Sequence, residues 1–160
     1  MAEENKKKFS MVVCSGDMDK LMSAFIIATG AAASDMEVNI FFTFWGFRAI
    51  KKIAPTGKSI FGKMMNMMEG GGLEKASPSK YSMGGLGRWM FKKMMAAKKV
   101  PSLTEYRQMA IDRGVKLYAC SMTMDLMEIP RENLIDAVTD VVGVSFFIDL
   151  AQNSVTTLFI

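Results

Sequence analysis

The 160-residue chain contains no histidine and only two cysteines, Cys14 and Cys120, which lie far apart with no CxxC spacing. The missing histidine removes His-dependent catalytic triads, and the sparse cysteines remove zinc fingers, so no metal centre is expected. Proton transfer and nucleophilic attack must then come from Cys, Asp, Glu, Lys, Tyr, Ser or Thr. Long apolar runs are missing too. The longest charge-free stretch, residues 21–34, is broken by Ser23, Thr29 and Ser34 and falls short of the roughly 20 apolar residues a spanning helix needs. Residues 1–8 are acidic and then basic, and the apolar run 9–14 gives way at once to Ser15-Gly16-Asp17. This pattern predicts no secretory leader and a cytoplasmic protein, in which lone thiols stay free.

Half of the residues are apolar and 22% are charged, a balance that excludes a disordered chain. A chain of this length buries roughly 70% of its unfolded surface and sustains a core unaided, so one domain over residues 1–160 is expected. The net charge of +4 is unevenly spread: residues 55–100 carry nine Lys/Arg against two Asp/Glu, whereas residues 101–160 carry four against eight. The basic character is local, and no nucleic-acid partner is expected.

Residues 9–14, Ser15-Gly16-Asp17 and the helical stretch 19–33 read as strand, tight loop, helix. Residues 37–45 repeat the strand pattern, closed by Gly46 and a brief helix through Ile53 before Pro55. Beyond residue 100, helices over 103–113, 121–127 and 143–153 alternate with strands over 115–120, 137–142 and 156–160. Apolar strands separated by helices predict a three-layer α/β/α sandwich with a five-stranded, mainly parallel sheet. Ligands of such sheets sit beyond the carboxyl ends of the strands. Cys14 and Cys120 each end a strand and map to that edge. The helix over 19–33 is apolar almost all round, so its outer side needs cover from the 55–100 insert or from another subunit, and a homo-oligomer is expected.

Residues 55–100 form a basic Met/Gly-rich helical insert with 8 of the 17 methionines, the Gly70-Gly71-Gly72 turn, and helices expected over 60–68 and 86–99. The triple glycine lacks both a preceding strand and a following Lys-Ser/Thr, which excludes a phosphate loop. On the second helix Arg88, Lys92 and Lys99 share one sector, and Met90, Met94 and Ala97 lie roughly opposite. Two readings stand: a lid packed over the oligomer, or an amphipathic element in peripheral contact with anionic lipid or an acidic partner.

Cys120 stands between an apolar strand and Ser121 and Thr123, where a helix begins. A thiol of pKa about 8.5 needs roughly 2 kcal/mol of preference for the thiolate to be half ionised near neutrality. A helix N-terminus supplies about 0.3–1 kcal/mol, so a cation or further donors are required, and Lys20 is the candidate. The bland reading of Cys120 is a small buried hydrophobe at a strand end. Cys14 passes the same positional test and is a candidate second thiol. In the loop that follows it, Ser15 or Asp17 caps the helix, or else Gly16 and free N–H groups receive an anion. Thr43 and Trp45 would form another wall of the same cleft, with packing the plainer role for the aromatic.

Three motifs together carry a resemblance: Ser15-Gly16-Asp17-Met18-Asp19-Lys20 leading into Ala28-Thr29-Gly30-Ala31-Ala32-Ala33; Phe41-Phe42-Thr43-Phe44-Trp45-Gly46; and Leu117-Tyr118-Ala119-Cys120-Ser121-Met122-Thr123-Met124-Asp125. The chain resembles the DsrE/DsrF-like superfamily, in the branch labelled putative sulfurtransferase or peroxiredoxin-like. The resemblance implies a homo-oligomeric α/β sandwich acting in sulfur relay. Cys120 stands at the position that takes up sulfane sulfur as a persulfide, with TusA-like or rhodanese-like proteins as partners and no cofactor. Glu128 stands where the family leads one to expect a glycine. Two other function classes remain in view: an adaptor docking through residues 55–100, and a thiol redox protein with Cys14 as the resolving thiol.

Overall fold

The computed structural model describes residues 6–54, 57–69 and 72–160. Pro55, Gly70 and Gly71, singled out above, lie outside the described residues, as does most of the 1–8 segment. Five strands, β1 (Lys8–Val13), β2 (Glu37–Phe42), β3 (Lys116–Cys120), β4 (Val138–Val142) and β5 (Thr156–Phe159), form one sheet in the order β4-β3-β2-β1-β5. Every neighbouring pair is parallel. The sheet advances from β1 to β4 in one direction and then returns to place β5 beside β1. With right-handed crossovers, that reversal sends the last helix to the opposite face.

Helices α1 (Met18–Ala33) and α4 (Leu103–Asp112) pack together on one face. There Phe25 of α1 meets Phe42 with ring centroids 6.3 Å apart, and both side chains are fully buried. The other face takes α6 (Val144–Gln152), whose Phe147 stacks on Phe41 at 5.2 Å and whose Phe146 meets Tyr118 at 5.1 Å. The short α5 (Ser121–Leu126) continues directly from β3 at the carboxyl edge. Alternation along the strands explains the pattern: Phe9, Met11 and Val13 point one way, Ser10 and Val12 the other. The apolar outer side of α1 is partly covered by α4, leaving Ile26 and Ile27 exposed.

The second strand is shorter than its composition predicts. It stops at Phe42, because Phe44 adopts a left-handed φ of 44° and the chain winds into a 3-10 turn over Phe44–Ala49. The expected helix through Ile53 gives way to an isolated antiparallel bridge between Lys51 and Leu134.

The insert carries α2 (Ile60–Glu69) and α3 (Leu86–Ala97). Its helices carry apolar side chains both inward and outward: Met95 is buried, and Met65 and Phe91 pack against the core. On α3, Arg88 donates to the Lys75 carbonyl at 3.0 Å and Lys92 to the Glu74 carbonyl at 2.8 Å, so the basic sector faces the chain's own loop. Leu86, Trp89, Met90 and Met94 stand exposed, as do Ile60, Phe61, Met64 and Met67 on α2.

Candidate functional site

The parallel register brings the candidate residues into one row. Val13 pairs with Phe42, and Phe42 with Ala119, so the next residues along, Cys14, Thr43 and Cys120, lie side by side at the carboxyl edge. Tyr118 and Phe41 meet α6, and alternation therefore directs Cys120, Thr43 and Cys14 to that same face. Cys120 ends β3, pairs with Val142 and is the N-cap of α5, at only 4% exposure. Cys14 is half-buried, and its N–H donates to the Ile160 carbonyl at 2.7 Å. Both thiols are free. Burial of Tyr118, two residues before Cys120 on β3, pushes its phenol pKa up.

Cys14 and Cys120 are separated by β2. Two strand spacings put their Cα atoms about 10 Å apart, beyond the 4.4–6.8 Å range of a disulfide. A resolving bond between them within one chain therefore requires the strands to move.

Thr43 and Thr123 join the end of β2 to the first turn of α5. Their hydroxyl oxygens lie 3.0 Å apart, and the Phe44 N–H donates to Thr123 Oγ1 at 3.1 Å. Thr123, three residues after Cys120, is fully buried and was not singled out as a site residue from sequence. Its only signal was its place in the Cys-Ser-Met-Thr run.

The loop after Cys14 is built by close approach. A Cβ on Gly16 would stand 2.6 Å from the Trp45 carbonyl oxygen, and one on Gly46 would stand 2.2 Å from that of Val13. These two glycines let the loop after β1 touch the 3-10 turn after β2, which brings Ser15, Gly16 and Trp45 to the same edge as the row. Asp17 is the N-cap of α1 without a side-chain cap. It exchanges hydrogen bonds with Ser15 instead, while the Met18 N–H donates to the Ser77 carbonyl of the insert at 3.0 Å. Of the N–H groups in this loop, those of Asp17 and Met18 are thus taken up within the chain. Ser121 opens α5 and is half-buried.

Lys20 is the predicted residue that does not join the row. It projects from α1, on the opposite face of the sheet, and lines a cavity of about 570 Å³ with Pro78, Tyr81, Met90, Phe91 and Met94 of the insert. Beside it, Asp19 accepts from the Ser79 N–H at 3.0 Å and the Ser79 hydroxyl at 2.8 Å. Burial raises the Asp19 pKa, but these hydrogen bonds outweigh it and hold the carboxyl below its ordinary value. Among the described residues no group of Cys, Asp and Glu side chains gathers as a metal-binding set, and no helix is long and apolar enough to cross a membrane.

With this geometry established, comparison with known proteins places the chain. The profile of the DsrE/DsrF/DrsH-like family matches residues 5–159. The chain is 42% identical over 159 residues to the uncharacterized protein YrkE of Bacillus subtilis, covering 98% of this chain and 99% of the relative. It is 34% identical over 164 residues to the sulfur carrier protein DsrE2 of Allochromatium vinosum, covering 97% and 99%. Two solved structures share the fold at a TM-score of 0.55: MTH1491 of Methanobacterium thermoautotrophicum, of unknown function, at 11% identity, and the ychN protein of E. coli at 10%. They cover 96% and 97% of this chain respectively, and 99% of their own lengths. Matched along nearly its whole length, the chain belongs to the DsrE/DsrF/DrsH-like family.

Proposed function

We propose that this protein works in sulfur relay, as a sulfurtransferase or sulfur carrier that holds sulfane sulfur as a persulfide on Cys120. The observation that carries the reading is the position of Cys120, at the carboxyl end of an inner strand and at the start of a helix, in a protein 34% identical to a sulfur carrier. The Cys120 thiolate attacks the outer sulfur of a donor persulfide. A new S–S bond forms at Cys120, the donor's S–S bond breaks, and the donor leaves as a thiolate with the electron pair of that bond. An acceptor thiolate then repeats the step on the loaded sulfur and Cys120 leaves in turn. No net oxidation occurs and no cofactor takes part.

The 4% exposure of Cys120 shields a loaded sulfur from water. A bulky donor reaches it only after the cover shifts, and the exposed Phe44, Trp45 and Met122 stand at this edge. Donors and acceptors of TusA-like or rhodanese-like type suit this exchange. A homo-oligomer belongs to the same reading, supported by exposed Val144, Phe146 and Ile148 on α6 and by exposed Phe159 on β5.

The test is intact-mass spectrometry after incubation with polysulfide, on the wild type, Cys120→Ser and Cys14→Ser. The reading expects a gain of one sulfur mass that is lost only in Cys120→Ser. Equal labelling of both variants would mean nonspecific thiol chemistry.

A second reading rests on a different observation, the outward apolar stripes of α2 and α3 flanked by lysines, with Lys93 Nζ 4.7 Å from the Trp89 ring centroid. Apolar anchors with a tryptophan and surrounding cations suit a cytoplasmic protein docked peripherally on an anionic bilayer. Vesicle flotation with neutral and anionic lipid at two salt concentrations tests it. Binding confined to anionic vesicles and weakened by salt supports docking, and no flotation of the folded protein contradicts it.

A further inference from the structure

Thr43 and Thr123 present a proton that the resting structure does not use. Each hydroxyl has one proton to give. Thr123 Oγ1 already accepts from the Phe44 N–H, and the two hydroxyls share a single hydrogen bond. Whichever of them donates in that bond, the other's proton is left over. Among the described residues neither hydroxyl has a further oxygen partner. Elsewhere in the chain, helical hydroxyls settle their protons on the carbonyl a turn earlier, as Ser23 and Thr29 do. Thr123 makes no such bond. Thr123 is fully buried and Thr43 only 9% exposed, so water does not readily take the spare proton.

In the row Thr43 has the Cys120 sulfur on one side and the Cys14 sulfur on the other, and Thr123, its hydroxyl partner, belongs to the helix that Cys120 caps. The Cα atoms of Thr43 and Cys120 are one strand spacing, about 4.8 Å, apart, with both side chains on one face. The two are not hydrogen-bonded at rest, and a thiol is a weak acceptor. A thiolate is a strong one, and the outer sulfur of a persulfide reaches about 2 Å further.

We propose that Thr43 is the hydrogen-bond donor to the Cys120 sulfur in its thiolate and persulfide states, and that Thr123 is the positioning residue that turns the Thr43 hydroxyl toward it. In this arrangement Thr123 donates to Thr43, and the Thr43 proton goes to sulfur. The bond stabilises Cys120 both as nucleophile and as leaving thiolate, the part for which Lys20 lies on the wrong face. This inference rests on the sulfur-carrier reading for its purpose but not for its geometry.

The test uses Cys14→Ser protein, so that Cys120 is the one thiol, and follows the rate of Cys120 alkylation against pH. Thr43→Val should move the alkylation midpoint up by about one pH unit, the scale expected for losing a hydrogen bond to a charged group. Thr43→Ser, which keeps the hydroxyl, should restore the original midpoint, and Thr123→Val should move it up by less. Where Thr43→Val does not fold, Thr43→Ala makes the same comparison. An unchanged midpoint in folded Thr43→Val or Thr43→Ala overturns the inference. If instead the midpoint moves but wild-type Cys120 never takes up sulfur from polysulfide, the hydrogen bond stands and the carrier reading fails.

Discussion

The carboxylate of Glu128 fills the space beside Gly62, where a Cβ would stand 2.4 Å from Glu128 Oε2. From there it accepts the N–H groups of Lys58 and of Ser59, the latter at 2.8 Å, just ahead of α2. Glu128 itself is in the left-handed region, at φ 52°, a conformation suited to the glycine that the family resemblance leads one to expect. Here a side chain with a capping duty holds the strained turn, and the loop after the Cys120 helix is thereby fastened to the insert.

Glu128→Gly should relax that backbone and unfasten α2 together. Hydrogen exchange should speed up across α2 while the amides of β1–β3 keep their protection. Gly62→Ala, which displaces the carboxylate, should give the same pattern, and a uniform change across the sheet would contradict the clasp.

The second clasp, Asp19 with Ser79, adds a pH dependence. The Glu128 carboxyl is held low by the Ser59 and Lys58 N–H groups and the Ser59 hydroxyl, and the Asp19 carboxyl by Ser79 despite burial. A carboxyl with a lowered folded pKa contributes stability above its unfolded value, about 3.9 for Asp and 4.3 for Glu, and loses it as pH falls through the folded value. The insert should therefore loosen below about pH 4 before the apolar sheet unfolds. With Trp45→Phe, the emission of Trp89 on α3 reports the insert alone. Its acid transition should precede the loss of far-ultraviolet circular dichroism and should be smaller in Asp19→Asn. Coincident transitions would contradict separate release.

Phe25 and Phe42 hold α1 to the sheet, both fully buried. Phe25→Ala or Phe42→Ala should cost about 3–5 kcal/mol in denaturant unfolding. A loss below about 1 kcal/mol would mean that the helix packs elsewhere.

Peroxide should not link Cys14 to Cys120 within one chain, because β2 keeps them about 10 Å apart. Non-reducing peptide mapping checks this. A prominent internal Cys14–Cys120 disulfide formed by the folded monomer would revive the redox reading.

Much of this architecture was legible in the residues, because strands that are apolar on both sides and alternate with helices have few other ways to pack. The carboxyl-edge row of Cys14, Thr43 and Cys120 followed from the same pattern. What escaped the sequence was direction. Arg88, Lys92, Met90 and Met94 were assigned to opposite sectors of α3, yet periodicity does not reveal which sector faces the protein, and here the lysine and arginine find backbone carbonyls inward. Lys20 was near the right edge along the chain but on the wrong face, because α1 and the row project from opposite sides of the sheet. Glu128 was visible only as a departure from an expected glycine. Its role depends on Lys58, Ser59 and Gly62, some 70 residues earlier in the chain.

The central claim is that sulfur resides on Cys120, and the most direct measurement is cysteine-resolved trapping. The protein is exposed to polysulfide, freed of excess donor, alkylated and digested, and the peptides carrying Cys14 and Cys120 are compared. The account predicts an alkylated persulfide on the Cys120 peptide that disappears when an acceptor thiol is added before alkylation. A persulfide found on Cys14 alone, or one on Cys120 that no acceptor removes, would contradict it.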